Sequence, residues 1–205
     1  MKKHILEKII TMVPETNLIS HNKKLWNQFI AGNDNAFAEM YMLNVDAMLD
    51  YGLHFTPLRD QVKDAVQDVF VTIYNKRSNL SNVENVRLYL FVSLKNYLFA
   101  VFNKDKHHYQ VDTIEPVFSM ETSVEEKYIG LEIESERERY VKQMLNSLSP
   151  RQREVIYYRF TEGMSFEEIC VLMQMNVQSV RNLLHRSITR IRELYTEYNS
   201  IYKTK

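Results

Sequence analysis

The sequence is poor in the residues that break or cross-link a chain. Its 205 residues include only four glycines and four prolines, which leaves little material for turns and favours helices. The single cysteine, Cys170, excludes an internal disulfide and fits a reducing compartment. Because cysteine is among the most buried residue types, we interpret Cys170 as a small core residue rather than a catalytic thiol.

Long hydrophobic runs are also absent. The most apolar stretch, residues 88–102, is interrupted by Lys95 and Asn96 and is too short and too polar for a membrane span. At the start of the chain, Glu7 and Lys8 interrupt the apolar residues, so no signal-peptide pattern is visible. We therefore expect a cytoplasmic protein without membrane insertion.

The chain carries no net charge, because 26 basic residues balance 26 acidic ones. This disfavours a general nucleic-acid binder, which is usually strongly basic. The charges are nevertheless segregated. Residues 76–108 have six bases and two acids, residues 142–205 have ten bases and six acids, and residues 110–139 have nine acids and three bases. Two basic zones around an acidic segment predict weak DNA binding by the free chain and stronger binding when the acidic segment is held elsewhere.

Residues 163–194 have the pattern of a helix-turn-helix, whose second helix enters the major groove of DNA. Ser165 and Glu168 form a capping box at the start of the first helix, and Asn176 is the expected N-cap of the second. One face of the second helix carries side chains suited to bases and phosphates. These residues are Gln178, Ser179, Arg181, Asn182, His185, Arg186 and Arg190. The early ones are expected to reach bases, and Arg186 and Arg190 the backbone; the alternative is an ordinary solvated face.

A further helix precedes the helix-turn-helix. Ser149 and Gln152 form a second capping box with Pro150 at the first helical position, and Gly163 ends that helix. Three or four short helices therefore form one compact C-terminal unit.

The N-terminal half is also predicted to be helical. Apolar residues at helical spacing follow residue 23, with Trp26 in the core, and Asp34 or Asn35 caps the next helix. Residues 60–77 form the clearest amphipathic helix, with Asp60 as its cap. Its outward residues, Lys63, Asp64, Gln67 and Asp68, form either a solvated face or a protein-docking face.

A polar loop, residues 78–85, leads into a helix over residues 86–104 that is rich in aromatic and basic residues. Rings beside cations suit single-stranded DNA, whose bases stack while its phosphates meet Lys or Arg. The loop is either a pocket for an extruded base or a connector, and about half of the rings are expected to be core.

These features predict an all-α chain of two small helical domains joined by a flexible acidic linker, with a helix-turn-helix in the C-terminal domain. The predicted segments are an N-terminal arm (1–22), a first domain (23–108), the linker (109–138) and a second domain (139–205). No metal-ligand spacing, Gly-rich phosphate loop or nucleophile elbow is present, so we expect no metal, no cofactor and no enzymatic activity.

Taken together, the two halves resemble a bacterial RNA polymerase sigma factor of the extracytoplasmic-function type. The likeness is carried by Asn35-Ala36-Phe37 with Met40-Tyr41, by residues 63–70 and by Tyr89-Leu90 with Lys95-Asn96. In the C-terminal half it is carried by Leu148-Ser149-Pro150, Arg153, residues 163–169, Val180 and Arg186. It covers residues 25–105 and 140–196, and it rests on the order and spacing of these motifs.

The resemblance implies a transcription initiation factor that binds core RNA polymerase and directs promoter recognition and melting. Residues 23–108 would be sigma region two and residues 139–205 sigma region four. Asp64, Gln67 and Asp68 would dock on the polymerase clamp, and the 178–190 face would read the minus-thirty-five element. Unpaired bases of the minus-ten element would meet Asn82, Asn85, Arg87, Tyr89, Lys95 and Asn96. An anti-sigma protein is a further implied partner, and the linker would thread near the RNA exit path.

The sequence departs from the family pattern at three places. Tyr89 stands where the family usually has Trp, the segment 103–108 lacks the usual dense run of Arg, and Gln178-Ser179 stands where a Thr is frequent. A competing hypothesis is a helix-turn-helix regulator that binds DNA without polymerase, its N-terminal half serving as a dimerisation or sensor domain. The acidic helix and the aromatic-basic helix after it favour the sigma factor, because a sensor domain is expected to show a ligand pocket.

Overall fold

The computed structural model describes residues 16–109, 117–120 and 136–202. All regular elements in these ranges are helices, which confirms the predicted all-α class. The chain divides into an N-terminal unit, Glu15–Val117, and a C-terminal unit that begins at Phe118. Most of the predicted arm and most of the predicted linker lie outside the described residues.

The N-terminal unit contains four helices and one short 3₁₀ turn. The helices are α1 (Thr16–Ile30), α2 (Asp34–Leu53), α3 (Arg59–Asn75) and α4 (Val86–Tyr109), and the turn is Arg77–Asn79. Their shared core is largely aromatic: Trp26, Phe29, Tyr51 and Phe91 are fully buried, and the Tyr51 and Phe91 rings stack with centroids 4.2 Å apart. Burying a ring such as Phe91 stabilises the fold by about 1.5–3 kcal/mol, so this core confirms the prediction for Trp26.

The turn between α1 and α2 corrects the predicted cap. Gly32 adopts a φ of 104°, and the side chain of Asn33 accepts hydrogen bonds from the backbone N–H groups of Asn35 and Ala36. Asn33 is therefore the N-cap, and the prediction of Asp34 or Asn35 was wrong. The Asp34 carboxylate instead accepts hydrogen bonds from Tyr74 (3.2 Å) and Arg77 (2.9 Å), which are distant in sequence.

The start of α3 also differs from the prediction. The helix begins at Arg59 with Leu58 at the N-cap position, where no side chain caps it. Asp60 lies inside the first turn and pairs with Lys63 at 3.2 Å, so the predicted Asp60 cap was wrong. A carboxylate in the first turn still interacts favourably with the helix dipole, which explains why the sequence signal was misleading.

The C-terminal unit contains α5 (Glu136–Asn146), α6 (Pro150–Ile156), α7 (Phe166–Met173) and α8 (Val177–Tyr202). The helix α6 continues as a π-helical segment, Tyr157–Thr161. Both predicted capping boxes are formed, at Ser149 with Gln152 and at Ser165 with Glu168. The chain turns at Gly163, whose φ is 66°, as predicted from its position.

A short described part of the predicted linker packs on the C-terminal unit. Phe118 and Met120 are buried, with only 2% and 8% of their surface exposed. The Phe118 ring lies 5.4 Å from the Tyr157 ring and 6.3 Å from the Tyr158 ring, between centroids. Phe118 and Met120 therefore extend that unit's core.

Candidate nucleic-acid interface

The turn of the helix-turn-helix is built by local hydrogen bonds. Gln174 ends α7 in the left-handed conformation, with φ 52° and ψ 47°, and its backbone N–H bonds to the Cys170 carbonyl. Asn176 then caps α8, because its Oδ1 accepts a hydrogen bond from the Ser179 backbone N–H at 2.8 Å. These contacts set the angle at which the second helix leaves the first. The prediction of Asn176 as the N-cap is confirmed.

The buried and exposed faces of α8 are sharply divided. Val180, Leu183, Leu184 and Ser187 are buried against the rest of the unit. On the opposite face, Ser179 is half-buried and the other six residues predicted to bind DNA are exposed: Gln178, Arg181, Asn182, His185, Arg186 and Arg190. The structure therefore brings the seven residues together on one surface, which we call the recognition face.

Two side-chain pairs pre-order parts of the recognition face. Gln178 Nε2 donates a hydrogen bond to Asn182 Oδ1 at 2.9 Å, one helical turn away. Arg190 lies 3.4 Å from the Glu193 carboxylate, an exposed ion pair worth little energetically. Amide side chains held in register suit adenine, which offers one donor and one acceptor in the major groove.

Two aromatic-cation contacts at the base of the recognition face were not predicted. The Phe166 ring lies 5.3 Å from the guanidinium carbon of Arg181 and 5.3 Å from that of Arg159. Arg159 also donates a hydrogen bond to the Met164 carbonyl at 2.8 Å. Helical spacing cannot reveal these contacts, because the three residues lie on three different elements.

In the N-terminal unit, α1 holds the polar loop that precedes α4. Trp26 Nε1 donates a hydrogen bond to the Ser81 carbonyl at 3.1 Å, and Lys23 lies 2.6 Å from the Glu84 carboxylate. Asn85 Oδ1 accepts from the Leu88 backbone N–H at 3.0 Å and so has the position of a helix cap. Helix α1 thus holds the loop at Ser81 and Glu84, a contribution that the sequence did not indicate.

The residues predicted to meet the minus-ten strand differ in accessibility. Asn82 and Asn96 are exposed, and Asn85, Arg87, Tyr89 and Lys95 are half-buried. The last three contact rings: Arg87 lies 5.5 Å from the Phe91 centroid, Tyr89 packs edge-on against Trp26 at 5.2 Å, and Lys95 lies 5.7 Å from both Phe55 and Phe99. These side chains lie on the loop and on the first half of α4.

The face of α3 predicted to dock on a protein is exposed at Asp64, Gln67 and Asp68. The Tyr97 hydroxyl, on α4, donates a hydrogen bond to the Asp68 carboxylate. This hydrogen bond, with burial and the negative charges of Asp68 and Asp64, raises the pKa of Tyr97 above its usual value of 10.0. Tyr97 therefore stays neutral and holds Asp68 in one orientation.

An open groove of about 510 Å³ adjoins this acidic face. Gln67 belongs to both, and Val71 and Tyr74 are exposed apolar residues at the groove. The full lining is Phe37, Tyr41, Gln67, Phe70, Val71, Tyr74 and Asn75. The combined surface has a charged rim and an aromatic floor, which is the composition of protein interfaces.

Two kinds of feature are absent from the part of the chain that the structure describes. Among the described residues, no group of three or more His, Cys, Asp or Glu side chains is arranged to hold a metal ion. Of the helices that the structure describes, none is both long and apolar enough to cross a membrane.

Comparisons with known proteins give concordant results. Residues 138–191 match the family described as sigma-70, region 4. The RNA polymerase sigma factor YlaC of Bacillus subtilis is 21% identical over 165 residues, which cover 80% of this chain and 94% of that protein. The fold resembles that of CnrH in complex with the cytosolic domain of CnrY, with a TM-score of 0.57 and 20% identity over 86% of this chain and 98% of that one. It also resembles the sigma factor RpoE from Bartonella quintana, in complex with the anti-sigma factor NepR, with a TM-score of 0.54 and 21% identity over 78% of this chain and 96% of that one.

Proposed function

Since this chain is an RNA polymerase sigma factor of the extracytoplasmic-function type, we propose which of its residues contact polymerase and promoter. In this proposal residues 23–108 bind core polymerase and open the minus-ten element, and residues 139–205 bind the duplex of the minus-thirty-five element. Residues 109–138 link the two. The chain itself catalyses no reaction and works in the cytoplasm, where the polymerase is.

Duplex binding by the C-terminal unit is supported by the recognition face. Gln178, Ser179, Arg181 and Asn182 lie on the first turns of α8, the part of a recognition helix that reaches base edges. His185, Arg186 and Arg190 lie further along and suit phosphates. The exposure of six of these seven side chains on one helix face is the observation on which the proposal chiefly rests.

Strand opening by the N-terminal unit is supported by the loop and the start of α4. Asn82 and Asn96 are the most accessible polar side chains of the predicted set, and Arg87 and Lys95 add positive charge beside rings. Asn85 has a capping role, so its contribution is to hold the loop open rather than to bind through its amide oxygen. Tyr89 packs against Trp26 and offers its remaining surface to a base.

Polymerase binding is supported by the acidic face of α3 and the adjoining groove. Asp64 and Asp68 provide charge that steers association, and Val71 and Tyr74 provide apolar area. An anti-sigma protein is a second proposed partner, because the similar RpoE structure is a complex with the anti-sigma factor NepR. The competing hypothesis of a helix-turn-helix regulator is not favoured, since the likeness to a sigma factor extends over 80% of the chain.

Run-off transcription with purified core RNA polymerase tests the function directly. The template is a pool of promoter fragments that includes the chain's own upstream region. We expect transcripts that begin at discrete positions and require the chain. Absence of any such transcript, together with absence of binding to core polymerase, would contradict the proposal.

A further inference from the structure

The short segment 117–120, which we call the anchor, attaches part of the predicted linker to the C-terminal unit. Its two apolar side chains, Phe118 and Met120, are buried. The Phe118 ring lies 5.4 Å from the ring of Tyr157 and 6.3 Å from that of Tyr158, between centroids, and both tyrosines are themselves buried. The anchor is therefore docked on a formed part of the C-terminal core.

The contact that holds the anchor is small. Phe118 and Met120 are buried, but Val117 is exposed and Ser119 is half-buried. The four residues form no regular secondary structure, so no helix fixes their backbone. Burial of the two apolar side chains is opposed by the conformational entropy lost when four residues become ordered, and the two contributions are of similar size. The anchor can therefore dock and release while the rest of the chain stays folded.

Docking of the anchor shortens the length of chain that is free to connect the two units. Only residues 110–116 separate Tyr109, at the end of α4, from Val117. Fully extended, the chain from Tyr109 to Val117 spans at most about 29 Å. With the anchor released, the chain from Tyr109 to Glu136, at the start of α5, can extend to about 97 Å. Release therefore lengthens the largest possible span about threefold.

The proposed promoter contacts need the longer span. The minus-ten and minus-thirty-five elements lie about 25 base pairs apart, which is about 85 Å along the duplex. Helix α4 adds at most about 36 Å to the docked span. The C-terminal unit adds little, because Tyr157 beside Phe118 is two residues from Arg159. Arg159 in turn contacts the same Phe166 ring as Arg181 of the recognition face. The docked chain therefore reaches both elements only if every part is stretched along one line.

We propose that the anchor is a release switch, which holds the free chain in its short-span state and leaves its site when core polymerase and promoter engage both units. This inference rests on the proposed function, because the two promoter elements set the required span. Docked molecules are then incompetent for promoter binding, so the apparent affinity of the chain falls with the fraction that is released. Contacts with core polymerase offset the cost of release.

The experiment measures promoter-dependent transcription with purified core RNA polymerase and increasing amounts of the full chain. The template is a promoter that the wild-type holoenzyme transcribes. Phe118→Ser removes the ring of the anchor, and Val117→Ser makes the matched change at its exposed neighbour. Phe118→Ser is expected to lower the chain concentration for half-maximal transcript at least about threefold, because fewer molecules are docked. Val117→Ser should match wild type, and an unchanged concentration for Phe118→Ser would overturn the proposal.

Two insertions test the span itself and leave Phe118 in place. About ten glycine and serine residues between residues 116 and 117 add up to about 36 Å to the docked span. Docked molecules then become competent, so the half-maximal concentration should again fall at least about threefold. The same insert between residues 120 and 121 lengthens only the released chain and should leave the concentration at its wild-type value. In the chain extended before the anchor, Phe118→Ser should give no further gain.

The insertions decide the outcome if loss of the Phe118 ring destabilises the C-terminal unit, because they leave the core of that unit intact. Equal half-maximal concentrations for the two insertion variants would show that the docked span limits nothing and would overturn the proposal. Absence of any promoter-dependent transcript with the wild-type chain would instead overturn the proposed function, and this inference with it.

Discussion

Arg181 combines exposure with an intrachain contact that limits its freedom. It lies on the second turn of α8 and stacks on Phe166 at 5.3 Å. An arginine presented in this way suits bidentate contact with guanine. Arg181→Ala is therefore expected to weaken duplex binding by about 1–3 kcal/mol and to relax the preference at one base pair. The probe is the duplex that holoenzyme, assembled from the wild-type chain and core RNA polymerase, selects from a randomised library. Competition between this duplex and its single-base-pair variants measures both effects.

Arg190→Ala provides the control for that prediction. Arg190 lies on the same helix and the same face, but it pairs with Glu193 and is further from the start of α8. Its loss should weaken all duplexes equally and leave the sequence preference unchanged, as expected of a phosphate contact. Identical preferences for wild type and Arg181→Ala would refute a base-reading role for Arg181.

Tyr97 predicts a pH dependence at the residue scale. Because the hydrogen bond to Asp68 raises the pKa of Tyr97 above 10.0, the unfolded chain loses this proton at a lower pH than the folded chain. The contribution of the pair to stability is therefore complete below about pH 10 and is lost as pH rises through the higher folded value. The difference in free energy of unfolding between wild type and Tyr97→Phe should shrink as pH rises above about 10.

Urea denaturation from about pH 8 to about pH 11 measures this difference. Asp68→Asn is the control, because it removes the charge that opposes ionisation of Tyr97 while keeping the volume of the side chain. Its stability should decline less than that of wild type across the same range. A constant difference between wild type and Tyr97→Phe at all pH values would contradict a contribution from this hydrogen bond.

At the scale of elements, the sequence predicted those features that are determined within one turn of helix. The capping boxes at Ser149 and Ser165 and the cap at Asn176 involve partners only three residues away, and each was predicted correctly. The caps of α2 and α3 were wrong because Asp34 and Asp60 are both plausible caps by residue type. Only the long-range bonds of Asp34 to Tyr74 and Arg77 reveal that its carboxylate is used elsewhere.

The same limit applies to the candidate site. Amphipathic spacing was enough to predict which residues share the recognition face and the acidic face, because each face lies on one helix. The partners that hold these residues come from other helices: Phe166 for Arg181, Tyr97 for Asp68 and Trp26 for the loop at Ser81. No periodicity within a single helix contains that information.

Gly52 marks the closest approach of two helices in the N-terminal unit. It is buried near the end of α2, and a Cβ atom at this position would lie 2.3 Å from Val62 Cγ1 on α3. Gly52→Ala is expected to destabilise the unit by about 1–3 kcal/mol, because the two helices must move apart. Chemical denaturation of the full chain measures the cost.

Val62→Ala tests whether the collision with Val62 is the cause. Removing the Val62 methyl groups makes space for the new Cβ, so the double variant should be more stable than the summed costs of the two single variants predict. Strict additivity would indicate that Gly52→Ala acts through the backbone and not through this contact.

At the scale of the whole molecule, the chain has zero net charge, but its acidic and basic residues lie on separate surfaces. In the proposed function, the acidic face of α3 binds a protein and the basic recognition face binds DNA. Core polymerase is expected to bind the acidic face and to hold the recognition face near the promoter. Because both contacts then belong to one assembly, each strengthens the binding of the other. Loss of the acidic face should therefore abolish promoter-dependent transcription even though the recognition face is intact.

The variant Asp64→Lys with Asp68→Lys tests this division of roles. Reversal of both charges on the exposed face of α3 is expected to weaken binding to core polymerase by at least about tenfold, or about 1.4 kcal/mol. Most of the effect should appear in the association rate and should diminish at high salt, because charges at the rim of an interface act by steering. Surface plasmon resonance with immobilised core polymerase measures both rates.

Two controls separate docking from folding in this experiment. Asp46→Lys with Asp50→Lys makes the same change of charge, at the same spacing, on the exposed side of α2, and should bind core polymerase as wild type does. Tyr97→Phe removes the hydrogen bond to Asp68 but keeps both carboxylates, so it isolates the effect of orienting Asp68. Equal association rates for the Asp64 and Asp68 double variant and for wild type would place the polymerase contact elsewhere. A slow association rate for the Asp64 and Asp68 double variant alone would instead assign the polymerase contact to α3. The control with the same charge change on α2 would then bind normally, and the recognition face is the same in all the chains compared.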